Sequence, residues 1–251
     1  MNVAVCMKRT PDTTAKIQIA SDQTSLVEEG INWIINPYDE FAIEEGLRVV
    51  EKHGGEVTLI CLGPAEAEKT IREGLAMGAH KAIRLDAAQV PADPRVTARA
   101  LAEVLKEGNY DLILFGKQAI DDDHAQVASL VATELNLPCV NVVVKLELDP
   151  ENGRGTAERE IEGGHERVSF PLPAIISAQR GLNEPRYRSL KGIMAAKKKP
   201  IEVKTASLED SQLAVLKYAY PPAKKPGRIV GEGKEAVPEL VRLLREEAKV
   251  L

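Results

Sequence analysis

Asp111-Leu112-Ile113-Leu114-Phe115-Gly116-Lys117-Gln118-Ala119-Ile120-Asp121-Asp122-Asp123 is an apolar run that breaks at a glycine and turns acidic. Its first part, Asp111 to Phe115, reads as a strand buried on both faces, the habit of a parallel sheet. Gly116 permits a sharp turn. A helix is expected from Asp122 to Leu135, with Asp121 or Asp122 as its N-cap. That order of strand, tight turn and helix start sets unpaired N–H groups above a strand end, which suits a phosphate. Three aspartates oppose an anion unless they face away or hold a cation. A capped surface turn is the plainer reading of the same residues.

The pattern repeats on either side. Val3 to Met7, Val57 to Leu62, Lys81 to Leu85 and Cys139 to Val144 read as strands. Pro37 to His53, Ala65 to Met77 and Pro94 to Glu107 read as helices. Pro37 and Pro94 stand near helix starts and Gly78 at a helix end. Strands alternating with helices predict an α/β fold: a mainly parallel, Rossmann-like sheet with helices on both faces. Ligands of such sheets sit at the carboxyl ends of the strands, so the loops after Met7, Leu62 and Phe115 are the ones of interest. Asn36-Pro37-Tyr38-Asp39 opens the first long helix, with Asn36 suited to the N-cap.

Two stretches, Lys16 to Ile31 and Thr156 to Phe170, read as hairpins, the second around a Gly163-Gly164 type I′ turn. Beyond Ala178 the chain becomes basic and turn-rich, then polar with Pro221-Pro222 and Lys224-Lys225-Pro226, and closes on an amphipathic helix from Val237 to Val250. The expected division is a nucleotide-binding domain over 1–203, with a loop near 180–199, and an arm over 204–251 that wraps a partner.

Composition limits the function. A net charge of -5 and 4% aromatic residues argue against nucleic acid. No apolar run is long enough to span a bilayer, and Asn2 to Met7 is too short for a signal segment. The expected compartment is the cytoplasm, or the mitochondrial matrix in a eukaryote. Cys6, Cys61 and Cys139 are far apart and read as core thiols. His53, His80, His124 and His165 have no metal spacing, and no nucleophile elbow or Walker loop is present. Asn183-Glu184-Pro185-Arg186-Tyr187-Arg188-Ser189-Leu190, followed by Ile193-Met194, is either a partner anchor or an exposed turn.

Gly116–Asp123, the run Arg159-Glu160-Ile161-Glu162-Gly163-Gly164-His165-Glu166, and Leu182–Tyr187 resemble, in this order, the beta subunit of electron-transfer flavoproteins. Met7-Lys8-Arg9, Asn36–Asp39 and Gly74–Ala79 fall in place as well. The likeness runs from residue 2 to about Val203. It implies a heterodimer whose alpha subunit holds most of a redox FAD. That heterodimer carries electrons from acyl-CoA or other dehydrogenases to a quinone oxidoreductase, and the beta subunit is an electron-carrier component rather than an enzyme. It implies a structural AMP among Cys6, Asn36, Pro37, Tyr38, Asp39, Leu62 and the run Gly116, Lys117, Gln118, Ala119, Ile120, Asp121, Asp122, Asp123, His124, Ala125, Gln126, Val127. It makes the segment of Asn183, Glu184, Pro185, Arg186, Tyr187, Leu190, Ile193 and Met194 the dehydrogenase recognition loop, with Leu190 as the plug. Glu160 matches a contact to the mobile flavin domain.

Departures from the family pattern bear on the ligand. AMP-binding members commonly carry Thr at the position of Val127. The run His124-Ala125-Gln126-Val127 leans toward electron-bifurcating members, which hold a second FAD in place of AMP, yet those usually have Gly at the position of Asp122. An aromatic residue often found near the flavin falls at Thr13. A non-enzymatic adenine-nucleotide sensor is the alternative from another class, and it lacks its late glycine-rich loop here.

Overall fold

The computed structural model describes residues 1–224 and 226–251; Lys225, in the basic Pro-rich stretch, lies outside the described residues. The chain forms two compact units, Met1–Leu216 and Lys217–Leu251. The first begins with β1 (Asn2–Cys6), β2 (Arg9–Pro11), β3 (Trp33–Ile35) and α1 (Pro37–His53). β4 (Glu56–Gly63), α2 (Ala67–Met77), β5 (Lys81–Asp86), α3 (Pro94–Glu107), β6 (Leu112–Gly116) and α4 (Val127–Leu135) follow. Then come β7 (Cys139–Asp149), β8 (Arg154–Ile161), β9 (Gly164–Pro171), β10 (Ala174–Ala178), α5 (Leu190–Ala196) and β11 (Ile201–Thr205). The second unit holds α6 (Val237–Glu246).

Nine strands form one sheet in the order β11-β5-β4-β1-β6-β10-β7-β8-β9. From β11 to β7 every pairing is parallel, and β8 and β9 continue the sheet antiparallel. Alternation along each strand divides the core. Val3, Val5, Leu59, Leu114 and Ile176 face one side, in the cluster that includes α1 and α2. Ala4, Cys6, Ile60, Ile113 and Ile175 face the other, with α3 and α4. Both faces are covered, which is why these strands read as near-continuous apolar runs. From β1 the chain moves to β4 and β5 on one flank and returns through α3 to β6 on the other. The switch point therefore lies at the carboxyl ends of β1 and β6.

Several expectations need correction. Helix α4 starts at Val127, not Asp122. Asp123 and Ala125 adopt left-handed φ of 52° and 51°, which a helix cannot contain. Lys16–Ile31 does fold back as a hairpin, but a short one: the Ile19–Leu26 bridge is flanked by bonds from the Val27 N–H to Gln18 O and from the Ala20 N–H to Ser25 O, and Asp22 closes the tip through the Thr24 and Ser25 N–H groups. The regular pairing lies just outside it, between β2 and β3. The second hairpin is present, but Ile161 pairs with Gly164, so Glu162 and Gly163 make the turn and only Gly163 has positive φ. That excludes type I′, which needs positive φ at both central positions. The polar stretch after Pro200 hides β11, which pairs with β5 as the sheet's edge and carries the first unit past Val203 to Leu216. Cys6 and Cys61 are buried as expected, whereas Cys139 is only half-buried.

Gly155 stands opposite Phe170 in the β8–β9 register, and a Cβ there would sit 2.5 Å from Phe170 Cζ. Gly155→Val gains strand propensity of up to about 1 kcal/mol but overpacks a buried ring at a cost of about 1–3 kcal/mol. A net loss of about 1–2 kcal/mol is expected in urea unfolding, and a stabilised variant would refute the packing argument.

Candidate functional site

The site is built around Asp39, in the first turn of α1 and buried. Its Oδ2 accepts from the Lys8 N–H at 2.7 Å, just past β1. Its Oδ1 accepts from Asn36 Nδ2 at 2.9 Å and from the Gly116 N–H at 3.1 Å, at the end of β6. One carboxylate thus joins the ends of two adjacent strands to the start of a helix. Asn36 extends the junction: Nδ2 also donates to Gln118 O at 2.8 Å, and Oδ1 accepts from the Ile120 N–H at 3.2 Å. Asn36 occupies the N-cap position, yet its side chain does not cap α1; it fastens the Gly116 loop. A Cβ on Gly116 would lie 2.3 Å from Asp39 Oδ1 and 2.7 Å from the Tyr38 carbonyl carbon, so only glycine fits.

Above this junction lies an open cleft, with about 790 Å³ of space between its walls once the solvent at its mouth is included. Cys6, Asn36, Asp39 and Leu62 line it, as do Gly116, Lys117, Gln118, Ala119 and Asp122, and the run from His124 to Val127. Pro37, Tyr38, Ile120, Asp121 and Asp123, also expected there, do not line it. They frame it instead: Lys117 Nζ stands 5.8 Å from the Tyr38 ring centroid, and Gln118 Nε2 donates to Asp123 at 2.5 Å. Val90, Pro91, Ala92, Pro94 and Thr97 complete the opposite wall. Pro94 and Thr97 lie at the start of α3, in a stretch whose sequence lacks the full pattern of the bifurcating members, and the expected site left out Val90, Pro91 and Ala92 of the loop before it. The signal was positional, since every loop at the carboxyl end of the sheet faces the same space.

Two of the three aspartates share one cation, and the third is held by the Gln118 amide. Lys8 Nζ reaches Asp121 Oδ1 and Asp122 Oδ2, both at 2.8 Å. Burial disfavours the Lys8 ammonium, but the two carboxylates outweigh it and hold its pKa above the ordinary value. Asp122 is lowered, since the Lys8 and His124 N–H bonds overcome burial. His124 Nδ1 lies 4.0 Å from Asp122. Neither Asp121 nor Asp122 caps α4. The N-cap is Gln126, whose side chain makes no capping bond. The first helical bond runs from the Leu130 N–H to Gln126 O, so the N–H groups of Val127, Ala128 and Ser129 have no acceptor within the helix. The cleft thus joins an uncapped helix start, attractive to an anion, with the apolar surface of Leu62, Pro91 and Val127. Burial, followed by Asp39, pushes the Cys6 thiol well up.

The other expected residues lie apart from the cleft. Glu160, on β8, accepts from Gln179 Nε2 at 2.7 Å and is exposed. Asn183 is buried and donates to Phe41 O and Glu45. Arg186 is gripped by Glu44 and Glu51. These two hold the segment to α1 and are not free anchors. Glu184 is exposed and Pro185 half-buried. Tyr187 and Leu190 project at 100% and 84% exposure, with Ile193 and Met194 beside them. Among the described residues no cluster of His, Cys, Asp and Glu is placed to hold a metal ion, and no helix is long and apolar enough to cross a membrane.

A family profile described as the electron transfer flavoprotein domain matches residues 23–209. Electron transfer flavoprotein subunit beta of Bacillus subtilis (strain 168) is 43% identical over 262 residues, covering 100% of both chains. The protein of that name from Homo sapiens is 38% identical over 258 residues, covering 100% of this chain and 99% of that one. The mitochondrial subunit beta of Arabidopsis thaliana is 36% identical over 258 residues, covering 100% of both.

Two outcomes follow from Asp39. Gly116→Ala is expected to cost about 2–4 kcal/mol, combining overpacking with a disturbed bond to a buried carboxylate; an unchanged urea midpoint would contradict it. Burial, against its three donors, pushes the Asp39 carboxyl up to about 7. Between about pH 4, where a free Asp titrates, and pH 7, the folded chain keeps a proton that the unfolded chain has released. This group's contribution to stability therefore falls as pH rises through that window and is level above it. The stability difference between the native chain and Asp39→Asn should narrow accordingly; a difference that widens with pH rejects the shift.

Proposed function

The chain belongs to the family of electron transfer flavoprotein beta subunits, and on that basis we propose that it holds a structural AMP in the cleft above Asp39 while supporting an FAD-carrying alpha subunit. The uncapped start of α4 carries this reading. The first-turn N–H groups of Val127 and Ala128 and the helix dipole stand at the cleft, and Lys8 offsets part of the negative charge of Asp121 and Asp122. Val127 and Ala128 would hold the phosphate, and the apolar wall would hold the base. The flavin supplies the redox chemistry when bound. The chain's own task is then to bind, orient and exclude water, which needs no general acid or nucleophile.

Three surfaces take the remaining roles. Leu190 plugs an apolar pocket on an acyl-CoA or other dehydrogenase, with Tyr187, Ile193 and Met194 around it. Glu160, on the exposed tip of the antiparallel extension, meets the mobile flavin domain. The unit Lys217–Leu251 wraps the alpha subunit: Val237, Leu240 and Val250 are exposed in it, and apolar residues so placed call for a partner. Electrons pass onward to a quinone oxidoreductase or a similar acceptor. The compartment is the cytoplasm, or the mitochondrial matrix in a eukaryote.

Acid release from the co-purified heterodimer is expected to yield one FAD and one AMP. Two FAD and no AMP would replace the structural nucleotide with a bifurcating flavin, a reading that Val127 in the cleft wall favours. AMP bound by a chain that takes no flavin partner would favour a nucleotide sensor. Returning AMP at 100 times its Kd to ligand-free heterodimer should stabilise it by about 2.7 kcal/mol. Leu190→Ala is expected to raise the concentration of heterodimer that half-saturates a purified acyl-CoA dehydrogenase by about tenfold, the loss of one buried leucine anchor, with flavin content intact.

A further inference from the structure

Helix α5, which presents Leu190, has almost no core of its own. It is seven residues long, and Ala196 is its only buried residue. A helix this short does not persist by itself. Its outward residues are exposed, so apolar burial does not explain why it is formed before any partner arrives.

Polar contacts with α2 hold it instead, and they run in both directions. Lys199, just beyond α5, sends Nζ to Leu75 O in the last turn of α2 at 3.0 Å, and to Gly78 O at 3.2 Å and Ala79 O at 2.5 Å in the turn that follows it. These carbonyls cluster at the negative end of α2, where a cation is favoured. Burial lowers the Lys199 pKa, so the ammonium has lost water that these carbonyls replace. Arg72, on α2, sends NH1 to Ala196 O at 2.8 Å and Lys199 O at 2.6 Å, at the end of α5. Glu68 holds its NH2 at 2.8 Å. Between these caps Gly192 lies against the α2 backbone, where a Cβ would stand 2.4 Å from Ala76 O. The next residues enter the sheet, with the Ala82 N–H donating to Pro200 O at 3.1 Å.

We propose that Arg72 and Lys199 are positioning residues for docking: each caps the other's helix, and the crossing at Gly192 fixes the direction in which α5 presents Leu190. This rests on the reading of Leu190 as the dehydrogenase anchor. Without the caps the free chain must order α5 during each encounter, and the ordering cost appears as weaker docking.

The test uses the heterodimer with its alpha subunit and a purified acyl-CoA dehydrogenase as the probe. Arg72→Gln and Lys199→Met should each speed amide exchange across residues 190–196 and raise the half-saturating concentration by about tenfold. Maximal turnover and flavin content should stay level, and Lys199→Arg should recover most of the loss. Placed on Leu190→Ala, either change should add less than its own loss, because the caps act through the face of α5 that Leu190 leads. Faster exchange with unchanged half-saturation, or fully additive losses, overturns the positioning role while leaving Leu190 as the anchor. An unaffected Leu190→Ala variant overturns the docking reading, and this inference with it.

Discussion

A buried carboxylate at the start of α1 governs the geometry of this protein. Asp39 receives N–H groups from Lys8, Asn36 and Gly116, and so ties β1, α1 and β6 at the point where the sheet changes direction. Removing a carboxylate from water is costly unless donors replace the solvent. Three donors, each from a different part of the junction, replace part of that solvation, and burial still pushes the carboxyl up to about 7. The constraint is reciprocal. The carboxylate requires a backbone N–H within hydrogen-bond reach, and that approach excludes any side chain at position 116.

The cleft follows from this junction. With Gly116, Gln118 and Ile120 fastened below, the chain from Asp121 to Gln126 arches over Lys8 instead of entering a helix at once. The delay costs two left-handed residues, Asp123 and Ala125, and leaves α4 without a side-chain cap. Backbone irregularity of this kind is typical of ligand sites. An uncapped helix start, beside aspartates whose charge Lys8 partly offsets, suits the anionic ligand proposed above.

The acidic residues of α1 serve both ends of the molecule's work. Asp39 anchors the cleft, while Glu44, Glu45 and Glu51 hold Arg186 and Asn183 one to three turns further along. One rigid helix thus supports the proposed nucleotide site and the turn that leads to Leu190. The Asn183–Arg186 stretch illustrates how composition misleads. Arginine next to tyrosine signals an interface, yet Arg186 turns inward to two glutamates and only Tyr187 faces out. Nothing local to the sequence separates the two, because the glutamates lie more than a hundred positions away.

The parallel sheet, its covering helices and the position of the cleft at the strand ends were legible in the sequence, since they depend on apolar periodicity and on glycine and proline, which act within a few residues, while the loop after β5 was left out of the expected wall. The ordered motifs from Met7 to Tyr187 likewise carried the family. The tertiary structure alone decided the start of α4, the role of Asn36 and the pairing of Lys8 with Asp121 and Asp122. It alone placed β11 at the sheet edge. Each of these rests on a partner distant in sequence: Lys8 for the aspartates, Gln118 and Ile120 for Asn36, β5 for β11. Local propensity can propose a cap, a turn or a loop, but a hydrogen bond or ion pair across the fold decides between them, because a buried polar group must find its partner wherever the chain has placed it.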